Sequence, residues 1–337
     1  MSQVKSFITG ISSHVLTDAE QGFIREHQPW AFILFARNID NAEQVKALTS
    51  AIQNAAQRDV FIFIDQEGGR VQRLREPLAP NYPPASTLGK LYQTNEEKGL
   101  RATWIMSRLH AFDLMKLGIN ADCLPLLDVP VQSAHNVIGD RAYSYDPETV
   151  TKLGKSAAEG LVAGGVLPVM KHIPGHGRAF CDTHLELAHV DCPLSQLEKT
   201  DFIPFKALNT LPVAMTAHVV YDVVDDERPA TLSSKVINDI IRGYIGFDGL
   251  LMSDDLSMKA LSGSFEDLTK QTFAAGCDLV LHCNGKMEEM LPIAQNTPVL
   301  EGKALKRAQK AYDYIGTIDN ADEMQLREEF QNVMLAI

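Results

Sequence analysis

Basic residues are outnumbered in this sequence, 31 Lys and Arg against 43 Asp and Glu, for a formal net charge of −12. A chain this acidic lacks the broad positive face that nucleic acid or an anionic membrane surface requires. It still has room for one local basic pocket. No run approaches the roughly 18 apolar residues of a membrane span. The N-terminus, MSQVKSFITG, has neither the long apolar centre nor the small-residue cleavage site of a signal peptide. Cysteine is scarce. Cys123, Cys181, Cys192, Cys277 and Cys283 make an odd number with no CxxC pair, which reads as reduced thiols in a cytoplasmic protein. The glycine patterns of a P-loop or a Rossmann fingerprint are missing too. These absences lead us to expect a cytoplasmic protein with no cofactor, no nucleic-acid partner and no membrane partner. Oligomeric state has no sequence signal.

What the sequence does have is a repeated alternation. Eight short apolar runs rich in Val, Ile, Leu and Phe recur from end to end: Ser6–Gly10, Ala31–Phe35, Val60–Ile64, Asn120–Leu126, Leu167–Lys171, Val213–Ala217, Leu250–Ser253 and Leu279–His282. Strands buried on both faces of a parallel sheet look like this. Helix signals lie between them. Thr17 with Glu20 forms a capping box ahead of Phe23 and Ile24. Asn41 with Gln44 starts a helix whose Val45, Leu48, Ile52 and Ala55 share one face. Ser233 or Ser234 caps a helix that stops near Gly243. Strand–helix units repeated eight times predict an α/β fold, a (β/α)8 barrel, with an open doubly wound sheet as the alternative. The absence of any linker-like stretch leads us to read residues 1–337 as one domain. Extra C-terminal helices, Lys303–Tyr314 and Met324–Leu335, are expected to pack on the barrel.

In such a barrel, chemistry gathers where strands end. Polar residues should therefore cluster just after the apolar runs. After Val60–Ile64 comes Asp65-Gln66-Glu67-Gly68-Gly69-Arg70-Val71-Gln72-Arg73, a polar turn or a binding loop. After Leu167–Met170 comes Lys171-His172-Ile173-Pro174-Gly175-His176-Gly177, then Asp182-Thr183-His184. A lysine at an inward strand end is costly to bury without a role. Pro174 and Gly175 between His172 and His176 exclude a helical zinc pair, so no metal site is expected. Asp182, two residues from His184, can fix an imidazole tautomer. The stretch from Pro174 to Val190 suggests a mobile flap. Ser253-Asp254-Asp255-Leu256-Ser257-Met258 offers two acids, one suited to capping and the other to facing the mouth. Arg141, in Gly139-Asp140-Arg141-Ala142-Tyr143, is either a surface charge or a clamp on substrate oxygens.

Taken together, DQEGGRVQR at 65–73, GDRAYSYDP at 139–147, KHIPGHG followed by DTH, and SDDLSM at 253–258 resemble glycoside hydrolase family 3. More narrowly they are similar to its single-domain bacterial β-N-acetylglucosaminidases. The resemblance runs from the first strand to about His282. The Arg178–Cys181 stretch departs from the usual pattern of this loop. The resemblance implies a retaining mechanism with Asp254 as nucleophile, His184 as acid/base and Asp182 as its dyad partner. It places Asp65, Arg73, Arg141, Lys171 and His172 at sugar-binding positions. The substrate it implies is GlcNAc β-1,4-linked to anhydro-muramyl peptides. Glycosidic cleavage needs an anion below the sugar and a proton donor at the leaving oxygen, and an imidazole near its ordinary pKa of about 6.5 serves as that donor at neutrality. The rivals are a non-catalytic sugar-binding protein that keeps the barrel and two other enzymes. One is a phosphorylase, since a neutral histidine repels phosphate less than a carboxylate would. The other is an aldolase-type enzyme using Lys171 as a Schiff base.

Overall fold

The structure, a computed structural model, describes residues 3–132, 137–179 and 187–335. Eight strands form in chain order: β1 Lys5–Gly10, β2 Pro29–Leu34, β3 Phe61–Ile64, β4 Ala121–Asp122, β5 Leu167–Ile173, β6 Val213–Thr216, β7 Leu250–Asp255 and β8 Leu279–His282. Each pairs in parallel with its sequence neighbours, and β8 returns to β1, closing an α/β barrel. Closure excludes the open doubly wound sheet. The strand expected over Asn120–Leu126 contracts to two residues. Pro125 has no N–H to give a neighbour, and Leu126 rejoins the sheet only as an isolated bridge to Lys171.

Helix starts follow their caps. The Thr17 side chain accepts from Glu20 N while Glu20 accepts from Thr17 N, opening the helix Asp18–His27. Asn41 accepts from Gln44 N at 3.0 Å and opens Ala42–Ala56. Ser233 accepts from Val236 N, as expected, but the segment Val236–Tyr244 winds as a π-helix. Its buried residues, Val236, Ile237, Ile240 and Ile241, suit either winding. Among the described residues no helix is long and apolar enough to cross a membrane.

Strand alternation divides the core into two layers. Ile8, Ala31, Ile33, Phe61, Phe63, Ala121, Cys123, Leu167, Val169, Val213, Met215, Leu250, Met252, Leu279 and Leu281 form one cluster inside the barrel. Their neighbours Phe7, Phe32, Leu34, Ile62, Ile64, Met170, Ala214, Leu251 and Val280 belong to a second cluster with the helices. The helix Gly302–Tyr314 seals the N-terminal end of the barrel. Its Ala308 and Ala311 are buried with the inner cluster, and the Tyr312 ring stacks on Phe61 at 4.4 Å and meets Trp30 edge-on. The last helix, Glu323–Met334, lies on Glu96–Met115. Arg327 pairs with Asp113, Lys116 reaches Glu323 at 2.6 Å, and Arg101 grips Glu329 with two bonds of 2.7 Å.

Tyr312 lies far from the strand ends where polar residues gather, so its loss should affect stability alone. Tyr312→Ala is expected to lower the unfolding free energy by about 2 kcal/mol, read from urea denaturation, with kcat unchanged. A large fall in kcat with unaltered stability would contradict this division.

Candidate active site

The inner row of each strand continues past the last apolar residue. On β3 the row 61, 63 leads to Asp65. On β5 the row 167, 169 leads to Lys171, and on β7 the row 250, 252 leads to Asp254. The same step of two leads from Ile33 to Phe35 and from Leu281 to Cys283. All five meet in one cavity of about 270 Å³ at the C-terminal end of the barrel, with Arg70, Arg73, Arg141, His172, Met215 and Met258 also in its wall. His172 departs from the alternation. The pairing register of β5 shifts between Lys171 and Ile173, and the Lys171–His172 peptide is cis.

An ion-pair network holds the wall together. Lys171, 2% exposed, donates from Nζ to Asp65 Oδ1 at 2.9 Å and to Glu67 Oε1 at 2.6 Å. Arg141 forms a two-pronged pair with Glu67, 2.7 and 2.8 Å, and its side chain is only 10% exposed. It is a buried partner of Glu67 and not a surface charge. Arg73 reaches Asp65 Oδ2 at 3.1 Å and lies over the Phe35 ring. Burial opposes every one of these charges, and the partners overcome it. Burial would push the Asp65 carboxyl up, but Lys171 and Arg73 hold it well below the usual carboxylate range. Glu67 is drawn down to about 2, Arg141 and Lys171 outweighing burial. Burial would lower the Lys171 ammonium, but Asp65 and Glu67 raise it above the ordinary lysine value. A lysine kept protonated in this way is a poor Schiff-base nucleophile, which disfavours the aldolase reading.

A second buried carboxylate orients His172. Asp128 Oδ2 is 2.7 Å from His172 Nδ1, while its Oδ1 accepts the backbone N–H groups of His172 (3.2 Å) and His176 (2.7 Å). Burial is outweighed by His172 and the His176 amide, and Asp128 falls to about 2. An ionised Asp128 accepts from Nδ1–H, so Nε2 is the nitrogen left for a ligand. Both acids of β7 line the cavity, but they bond differently. Asp255 accepts from Ser257 N (3.0 Å), Ser257 Oγ (2.7 Å) and Cys283 N (3.1 Å), which ties the following turn to β8. Asp254 Oδ1 accepts from Asp255 N at 2.8 Å and lines the cavity. Next to this pair, buried His218 donates from Nε2 to the Asp255 carbonyl and bonds Thr231 through Nδ1.

The fold thus brings together six of the eight expected site residues: Asp65, Arg73, Arg141, Lys171, His172 and Asp254. Asp182 and His184 lie outside the described residues, as does part of the expected flap. Two residues not singled out from the sequence, Glu67 and Asp128, prove central. Glu67 sits inside the DQEGG motif, but its partners come from loops 74 and 104 residues away. Among the described residues no group of three or more His, Cys, Asp or Glu is placed to hold a metal ion. Glu67 titrates lower in the fold than its ordinary 4.5, so its contribution to stability is complete above that pH and is lost as pH falls toward 2. Glu67→Gln should flatten the acid limb of the stability–pH curve. It should also lower stability at pH 7 by on the order of 3 kcal/mol, because two buried cations lose their shared anion. Denaturant titrations across pH 2–7 measure both effects.

Residues 4–311 match the Glycosyl hydrolase family 3 N terminal domain. A curated β-hexosaminidase of Chromobacterium violaceum is 35% identical over 304 residues, covering 89% of this chain and 84% of that one. That of Hydrogenovibrio crunogenus is 40% identical over 256 residues, covering 75% and 71%. The crystal structure of NagZ from Neisseria gonorrhoeae in complex with N-trifluoroacetyl-D-glucosamine superposes with a TM-score of 0.86 at 29% identity, covering 99% of this chain and 97% of that one. The chain belongs to glycoside hydrolase family 3 and is a β-N-acetylhexosaminidase, a glycosidase that releases N-acetylglucosamine.

Proposed function

We propose that this enzyme is a retaining exo-β-N-acetylglucosaminidase that removes terminal β-linked GlcNAc from peptidoglycan fragments, GlcNAc-β-1,4-anhydroMurNAc-peptides, during cytoplasmic cell-wall recycling. The observation that carries this reading is the convergence of Asp254 with Asp65, Arg73, Arg141, Lys171 and His172 on one cavity. Support for the substrate comes from the gonococcal NagZ complex with a GlcNAc analogue.

In this reading the pyranose lies above Asp254 with its hydroxyls on the ion-pair network. Asp65 accepts from hydroxyls; Arg73, Lys171 and Arg141 donate to hydroxyls and to the acetamido carbonyl. His172, oriented by Asp128, presents Nε2 to a hydroxyl. Phe35, Met215 and Met258 supply apolar surface for the carbon face of the ring. Asp254 attacks C1, and the leaving oxygen takes a proton from His184. The covalent glycosyl-enzyme is then opened by water, which His184 deprotonates, so two inversions return the β configuration. Asp182 holds the other imidazole nitrogen and stabilises the charged ring. His184 and Asp182 stand between Ala179 and Leu187 in the sequence, outside the described residues.

Asp254→Ala is expected to lose nearly all turnover of aryl β-GlcNAc while still binding GlcNAc in calorimetry, and a normal kcat would reject the nucleophile. His184→Ala should slow natural disaccharide-peptides far more than aryl glycosides, whose leaving groups need little protonation. Equal losses would remove His184 from the proton-donor role. Product analysis with and without phosphate should give free GlcNAc in both cases. Accumulation of GlcNAc 1-phosphate would make the enzyme a phosphorylase.

A further inference from the structure

Behind the sugar-facing wall, on the outward row of β4, Asp122 is fully buried. Its Oδ1 accepts the backbone N–H of Gln66 at 2.9 Å. Gln66 stands between Asp65 and Glu67, so this bond fixes the peptide from which both mouth carboxylates project. The Gln66 side chain extends the tie. Its Oε1 accepts from Arg73 N and Leu74 N, both at 3.0 Å, and its Nε2 donates to the Leu74 carbonyl. Asp122, Gln66 and the 65–74 hairpin therefore form one continuous chain of bonds ending at the backbone of Arg73.

The surroundings of Asp122 constrain its charge. Among the described residues Oδ2 has no hydrogen-bond partner, and neither do the two ring nitrogens of His110. His110 lies on Glu96–Met115 with Nδ1 4.0 Å from that oxygen, and its ring is edge-on to Tyr82. The other charged groups acting on Asp122 are Lys171, Asp65 and Glu67. The Lys171 ammonium is already bonded to both of those carboxylates. A third anion at this place would be buried on one N–H donor beside two like charges, which is unfavourable. His110 offers no cation in return, since burial and Arg327 push it down to about 3. Burial likewise moves Asp122 well above the carboxylate range. A carboxylic acid fits instead: one oxygen accepts from Gln66, the other faces His110 Nδ1 at 4.0 Å, and no unpaired charge is left buried there.

We propose that Asp122 is a positioning residue of the sugar site, held as an uncharged carboxylic acid that locks the Gln66 amide and through it Asp65, Glu67 and Arg73. This rests on the reading of Asp65 and Arg73 as sugar ligands. Asparagine reproduces the donor and acceptor pattern of the neutral acid, whereas leucine removes both. Asp122→Asn should keep the Kd for GlcNAc and the KM for aryl β-GlcNAc within about twofold of wild type. Asp122→Leu should raise both by about tenfold and change kcat much less. Infrared difference spectra of wild type minus Asp122→Asn at pH 7 should show the carbonyl stretch of a protonated acid. A carboxylate band in its place, or a tenfold loss of affinity in a folded Asp122→Asn, overturns the uncharged acid. Unchanged GlcNAc affinity in Asp122→Leu overturns the positioning role alone. Failure of wild type to bind GlcNAc, with the acid band present, overturns the sugar-site reading and the positioning role with it.

Discussion

The mouth of this barrel is organised around one buried ammonium. Lys171 ends the inward row of β5 where water is largely excluded, and only opposite charge makes that position tenable. Asp65 and Glu67 supply it from the loop after β3, and Glu67 in turn recruits Arg141 from the loop after β4. Three strand ends are thereby clamped without a metal-ligand cluster among the described residues. Within this network each charged group is the neutralising partner of another, which restrains them all. In the proposed reading, a sugar whose hydroxyls replace part of this network meets donors and acceptors already held in place, so little ordering remains to be done on binding.

The outer side of the wall has a different electrostatic logic. On the inward rows, carboxylates face cations and remain ionised. On the outward row of β4, Asp122 faces neutral His110 and a backbone amide. The two rows are one residue apart, yet strand alternation sends their side chains into separate environments. Asp128 gives a third case, in which three N–H donors keep a fully buried carboxylate charged. The buried acids around the ends of β3 and β4 therefore differ through what surrounds them and not through their intrinsic acidity.

Much of this was legible in the sequence. Strands buried on both faces leave uninterrupted apolar runs, and seven of the eight runs coincide closely with barrel strands. The run at Asn120–Leu126 misled because Pro125 cannot continue the ladder. Lys171 announced that it needed partners, and the strand-end rule put Asp65 and Asp254 near it. Glu67 and Asp128 escaped notice because their roles arise from contacts across 104 and 44 residues of chain, for which local spacing carries no sign. A usable signal existed all the same: counting by twos from the inner apolar rows lands on residues 35, 65, 171, 254 and 283, all of which line the cavity. Asp122 falls on the other parity, and only the packed helix shows what that side offers it. The π-winding at Val236–Tyr244 was hidden because its apolar pattern does not distinguish the two helices.

The inner rows of the strands fill the barrel down to Phe61 and Trp30, with Tyr312 laid against both, so the cavity at the mouth stands on a solid floor. In the proposed reading one terminal sugar fills that space. A liberated monosaccharide occupies the space that the next terminal sugar must fill, so departure and arrival exclude each other. On that reading, spent sugar and fresh substrate compete for the same floor.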